Sequence, residues 1–115
     1  MHELSIALSM IDGVLEEARK QGEVRVAAVH LKLGIFSGVD KEALEFSYGL
    51  ACEGTPLEGS RLVIEQIPIL MYCSTCKAEH TLVSMQQLCC PSCQAPADDI
   101  RSGRELEVTA LEVLA

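Results

Sequence analysis

Residues 73–93 read CSTCKAEHTLVSMQQLCCPSC, and the spacing of the thiols within this stretch decides how the chain is organised. Cys73 and Cys76 are two residues apart, Cys90 and Cys93 likewise, and thirteen residues lie between the pairs. Each short pair makes a tight turn that aims two sulfurs at one point, and two such turns close a four-thiolate shell for which Zn(II) is the default ion. A closed shell leaves no position for water, so the ion is structural and its binding free energy becomes folding free energy. A redox dithiol pair and a rubredoxin-like iron site are the rival readings. Cys89 adjoins Cys90 and could replace it, although Pro91 suits a turn between Cys90 and Cys93 and favours Cys90. Cys52 lies in a helical pattern and reads as a small buried hydrophobe.

Working outward, the residues around the thiols, 71–103, are too few to be held by apolar burial alone and need a staple. The flanks have a different character. Leu4, Leu8, Ile11, Leu15 and Ala18 recur at helical spacing, predicting a first helix over about residues 2–21 that stops near Gly22. The stretch EVRVAAVHLKLG at 23–34 reads as a strand whose buried parity changes, through a bulge near Ala27 and Ala28 or burial on both faces. Asp40 can cap a second helix packed through Ala43, Leu44, Phe46, Ser47 and Leu50. RLVIEQIPIL at 61–70 gives a second strand, with Pro68 at its end or at a sheet edge, and ELEVTALEVL at 105–114 a third. The expected fold is α+β: two helices on a three-stranded sheet, formed by residues 1–70 and 104–115, with an inserted four-cysteine zinc-ribbon lobe at 71–103.

Composition narrows the function. A hydrophobic fraction of 49% in 115 residues supports a core. The formal net charge is −8, and four thiolates around one Zn(II) add further negative charge, so phosphate polyanions are repelled and nucleic acid is not an expected partner. Asp12, Glu16 and Glu17 stand where a signal peptide needs an uncharged run, and no stretch is long enough to span a membrane. The expected compartment is the cytoplasm, where thiols stay reduced and tightly spaced cysteines point to metal. No phosphate-binding loop and no nucleophile paired with a base appears, so no enzyme activity is expected.

The chain begins MHELS. The Met1 amine, with an ordinary pKa of about 7.7–8.0, is a usable donor near neutrality. With the amide nitrogen of His2 it closes a five-membered ring around a metal, and that amide with the His2 imidazole Nδ1 closes a six-membered ring. Such an in-plane nitrogen set suits Ni(II) or Cu(II) rather than tetrahedral zinc. A further donor could be the amide or carboxylate of Glu3, or Asp40. His30, flanked by apolar residues, reads as a core or sheet-face residue, and His80 as a solvated loop residue.

Taken together, MHELS at 1–5, GVDKEALEFSY at 38–48, GTPLEG at 54–59, the paired cysteines with CPSC, and IRSGRELEV at 100–108 resemble the HypA/HybF family of nickel-insertion accessory proteins, in order and over essentially the whole chain. The resemblance implies a two-lobed metallochaperone that carries Ni(II) as cargo for maturation of [NiFe]-hydrogenase, with urease as a further target. It maps nickel binding to Met1, His2, Glu3 and Asp40, and zinc to Cys73, Cys76, Cys90 and Cys93. It also implies two partners, the nickel-loading GTPase HypB and a hydrogenase large subunit. Cys89 departs from the family pattern. The alternative is a zinc-ribbon adaptor in transcription or translation without a nickel role.

Overall fold

The computed structural model describes residues 2–114. The elements are α1 (Glu3–Lys20), β1 (Val26–Gly34), a 3-10 turn (Ile35–Ser37), α2 (Lys41–Cys52), β2 (Arg61–Ile67), β3 (Ile69–Cys73), β4 (Ala78–Leu82), β5 (Ile100–Ser102) and β6 (Leu106–Val113). They form two three-stranded sheets of order β2-β1-β6 and β4-β3-β5. The expected α+β class, with two helices, a three-stranded sheet and a four-cysteine lobe, therefore holds, and the lobe carries a sheet of its own. The chain divides into two compact units, Met1–Leu31, Val39–Glu65 and Glu107–Ala115 in the first, Lys32–Gly38 and Gln66–Leu106 in the second.

In the first unit, α1 buries Glu3, Ala7, Ile11, Val14 and Ala18. These residues recur every three or four positions, but the stripe is rotated from the expected one: Leu4 and Leu8 stand at its margin, 48% and 49% exposed. The helix ends as its sequence requires, with Gly22 at φ +92 directly after the cap residue Gln21 and its N–H bonded to the Arg19 carbonyl. On α2 the buried residues are Leu44, Ser47, Tyr48 and Cys52, while Phe46 is 70% exposed and Leu50 is exposed too. At 100° per residue Phe46 and Leu50 lie on the far side of the helix from Leu44 and Tyr48, so the expected packing face is corrected: Phe46 and Leu50 leave it, and Tyr48 and Cys52 join Leu44 and Ser47. The helices pack on each other. Their core joins Ile11, Val14 and Ala18 to Val26 and Val29 of β1 and to Tyr48, Cys52 and Leu57.

β1 shows the anticipated parity change: Val26 and Ala28 are buried, and then Val29, Leu31 and Leu33. Its bonds to the far end of the chain, Leu114 N–H to the Arg25 carbonyl (2.8 Å) and Gly34 N–H to the Glu105 carbonyl (2.7 Å), make it antiparallel to β6.

The expected strand at 61–70 is two strands. Pro68 lacks the donor that would continue the ladder, β2 stops at Ile67, and Ile69 opens β3 in the other sheet. The core of the second unit is Ile69, Met71, Cys73, Leu82 and Cys90, flanked by Ile35 and Phe36. Two glycines make a close crossing there. A Cβ on Gly34 would sit 2.1 Å from the Gly103 carbonyl oxygen, and Gly103 itself has φ +116 and would press a Cβ to 3.0 Å from the Ile69 Cα.

Candidate metal centres

The second unit assembles the thiols on two similar loops. β3 and β4 pair antiparallel with Cys73 opposite Ala78, so the residues between them form a tight connection that presents Cys73 and Cys76. The Cys76 N–H points at the Cys73 sulfur, 3.4 Å away. The second loop is closed by bonds from the Gln94 N–H to the Cys90 carbonyl and from the Cys90 N–H to the Ala95 carbonyl, both 2.8 Å. In each loop the residue directly after the second cysteine takes a left-handed backbone, Lys77 at φ 55 and Gln94 at φ 65. That turn brings each pair of sulfurs onto one side.

The sulfurs of Cys73, Cys76, Cys90 and Cys93 all lie within 4.8 Å of one another. Cys73 Sγ is 3.5 Å from Cys93 Sγ, and Cys76 Sγ is 3.8 Å from Cys90 Sγ. A tetrahedron of thiolates at about 2.3 Å from a zinc ion has edges of about 3.8 Å, so the observed spacing fits Zn(II) and is far too long for a disulfide.

The electrostatics also call for a cation. Burial pushes the Cys90 thiol up, but the backbone N–H groups of Cys93 and Ser92 outweigh it and bring the pKa down to about 6. Hydrogen bonding with the Cys93 and Cys90 sulfurs pushes Cys76 the other way, to about 12. Four sulfurs this close share negative charge badly unless a positive ion sits among them. Cys90, fully buried, is the member of the group; Cys89 is half-buried, lies outside it, and bridges through its backbone to Pro96.

At the start of the chain, Met1 falls outside the described residues. His2 is exposed at the cap position of α1, its carbonyl accepting the Ile6 N–H at 2.9 Å. Glu3 is 8% exposed, and its Oε2 accepts the backbone N–H of Asp40 at 3.1 Å. Asp40 in turn caps α2, with Oδ1 accepting the N–H groups of Glu42 (2.9 Å) and Ala43 (3.2 Å). The structure therefore brings His2 and Glu3 to the first turn of α2, with one carboxylate clamping the chain and the other capping the helix. The clamp escaped the sequence reading, although a signal was present: Glu3 occupies a position in the same stripe as Ala7, Ile11, Val14 and Ala18.

The other histidines are elsewhere. His30 lies on the sheet face, with Nε2 2.5 Å from Glu112 Oε2, and Arg61 approaches the same carboxylate at 3.5 Å. His80 is not a loop residue. It sits in β4 opposite Met71, and its Nε2 is buried with no hydrogen-bond partner among the described residues.

Comparison with known proteins agrees with this arrangement. Residues 1–113 match the family model described as HypA, hydrogenase/urease nickel incorporation metallochaperone. The chain is similar to the hydrogenase maturation factor HypA of Chloroflexus aurantiacus, 46% identical with 97% of this chain and 98% of that protein covered. The Chlorobaculum parvum HypA is 40% identical, with 98% and 99% covered. Among solved structures, the Ni metallochaperone HypA from Helicobacter pylori shares the fold, with a TM-score of 0.63 at 23% identity and 100% and 99% of the two chains covered. A likeness of sequence and fold that runs through both units, on a frame that carries four converging thiols, places this chain in the HypA family of nickel metallochaperones for hydrogenase maturation.

Proposed function

We propose that this chain is a nickel carrier that binds Ni(II) at its amino terminus and passes it on for assembly of a [NiFe]-hydrogenase large subunit, working with the GTPase HypB in the cytoplasm. Urease is a further target by the same chemistry. The donors are the Met1 amine, the His2 amide and imidazole Nδ1, and Glu3 through its amide, with Asp40 beside them. The observation that carries this reading is the 3.1 Å bond from the Asp40 N–H to Glu3 Oε2. It ties Glu3 to the start of α2, so the chain that carries His2 and Glu3 is held beside Asp40 rather than trailing from a frayed helix end.

In this reading the Glu3 carboxylate, buried and already bonded, positions the chelate, and nitrogen atoms bind the ion. The amine and imidazole both compete with protons, which gives the cargo a way out: acidification releases nickel. The zinc group, held by Cys73, Cys76, Cys90 and Cys93, supplies structure by tying the two cysteine loops together. No catalytic step is required of any residue.

The test is Ni(II) titration, by calorimetry and by the visible d–d absorption of the bound ion, of three proteins: the native chain, His2→Ala, and a chain with extra residues before Met1. Stoichiometric in-plane nickel binding is expected in the first and its loss in the other two. Equal nickel binding in all three would overturn the proposal.

A further inference from the structure

We infer that the outer edge of β6, beside α1, is a docking edge for an extended, cationic segment of a partner polypeptide, independent of any metal. β6 ends the sheet of order β2-β1-β6, so one side of its backbone is unpaired among the described residues. Every residue from Leu106 to Val113 is exposed except Leu111, which is half-buried; Leu106, Val108 and Val113 are 41%, 40% and 48% exposed. Sheet edges in stable proteins are ordinarily blunted by lysine, proline or a short length. β6 is eight residues long and contains neither lysine nor proline. The opposite edge strand, β2, is closed off by Pro68 directly after Ile67.

A groove of about 540 Å³ runs along this edge, walled by Met10, Gly13, Val14 and Glu17 of α1 and by residues 108–111 and 113 of β6. Gly13 lies in the middle of an 18-residue helix, where glycine costs about 1 kcal/mol relative to alanine. A Cβ there would meet nothing within 4 Å, so no contact inside the chain excludes a side chain at this position. Its bare backbone instead leaves space on the groove wall for a side chain that arrives from outside.

Charge selects the occupant. Glu17 is the charged residue that lines the groove, β6 adds Glu107, and among the described residues no lysine or arginine lines it. A second copy of this chain fits poorly: the antiparallel pairing that sets Leu106 against Val113 places Glu107 opposite Glu112 twice, and like charges directly opposite are destabilising. A strand alternating apolar residues with lysine or arginine would extend the backbone ladder, fill the space over Gly13 and meet Glu17 and Glu107 with opposite charge.

The experiment titrates the ¹⁵N-labelled, zinc-loaded full chain with a synthetic peptide of about eight residues alternating valine and threonine with two lysines, and with a twin carrying glutamates instead. The lysine peptide should shift and protect amides of 106–113 and shift those of 9–21. Gly13→Leu should weaken it by about tenfold or more, whereas Gly49→Leu, a helical glycine on α2 with equally open space, should leave it unchanged. The inference is overturned by absence of binding, by shifts elsewhere, by equal binding of the glutamate twin, by indifference to Gly13→Leu, or by the protein alone dimerising with the same amides protected.

Discussion

The clamp between Glu3 and Asp40 can be tested apart from nickel. In Glu3→Ala the Asp40 N–H loses its acceptor in a part-buried site, which costs about 1–3 kcal/mol. The first turn of α1 also loses its one acidic residue, worth about 0.3–1 kcal/mol at a helix amino terminus. Glu3→Gln keeps an amide oxygen where Oε2 stands and gives up the charge, so it should cost less than Ala. The assay is urea unfolding of the zinc-loaded protein followed through amide signals of α1 and α2, which report the first unit. The expected order is native, then Gln, then Ala, with about 1–3 kcal/mol between the two variants. Nickel adds the second half. If the carboxylate positions and the nitrogens bind, Gln should retain stoichiometric nickel at nearly native affinity and Ala should lose affinity. Equal destabilisation by Gln and Ala would refute the hydrogen bond as the source of the clamp. Loss of nickel from the Gln variant with stability intact would make the carboxylate a ligand.

Three further outcomes follow from distances and burial already described. Cys90→Ser should release zinc, measured by metal content after gel filtration, and melt the β4-β3-β5 sheet, while Cys89→Ser keeps a full equivalent, because only Cys90 belongs to the four-sulfur group. Gly34→Ala should destabilise the protein by about 3 kcal/mol or more in chemical unfolding, since its Cβ meets a backbone carbonyl at 2.1 Å and neither side can rotate away. Burial raises the pKa of Tyr48 to about 12 from 10.0. The unfolded chain therefore gives up this proton first, so the contribution is intact below pH 10 and is lost as pH rises toward 12; a pH series of unfolding free energies should show that decline, and Tyr48→Phe should flatten it.

Much of this architecture was legible in the sequence, where local chemistry sets local structure. The two cysteine pairs, the Asp40 cap, the Gly22 stop and the parity change in β1 each follow from a few neighbouring residues. What escaped depends on partners far along the chain. Leu4, Leu8, Phe46 and Leu50 are apolar and helical in spacing, yet only the position of the other helix and the sheet decides which side of each helix is covered. Pro68 suggests a strand end or a sheet edge within 61–70, but that the chain breaks into two strands and changes sheets there depends on β4 and β5 supplying new partners. His80 reads as a loop residue from its place in the insert, four positions after Cys76; its strand is imposed by β3 opposite. Glu3 offered donors for a metal, and its carboxylate proved to be bonded to an amide 37 positions away, which no local pattern encodes. The pair of Gly34 and Gly103 is equally silent until the backbones meet.

The division of β1 bears on whether the cysteine-bearing piece is portable. Its last residues, Lys32–Gly34, and the following turn with Ile35 and Phe36 belong to the second unit, which otherwise spans Gln66–Leu106. A gene fragment cut at residue 66 would discard the donors that satisfy the carbonyls of Gly103 and Glu105, along with the two apolar side chains that flank Ile69 and Met71. Swapping this piece between relatives as a cassette should therefore fail unless the distant seven-residue segment Lys32–Gly38 travels with it. The thiol-bearing region is a graft with two roots, and only a transplant that takes both can hold.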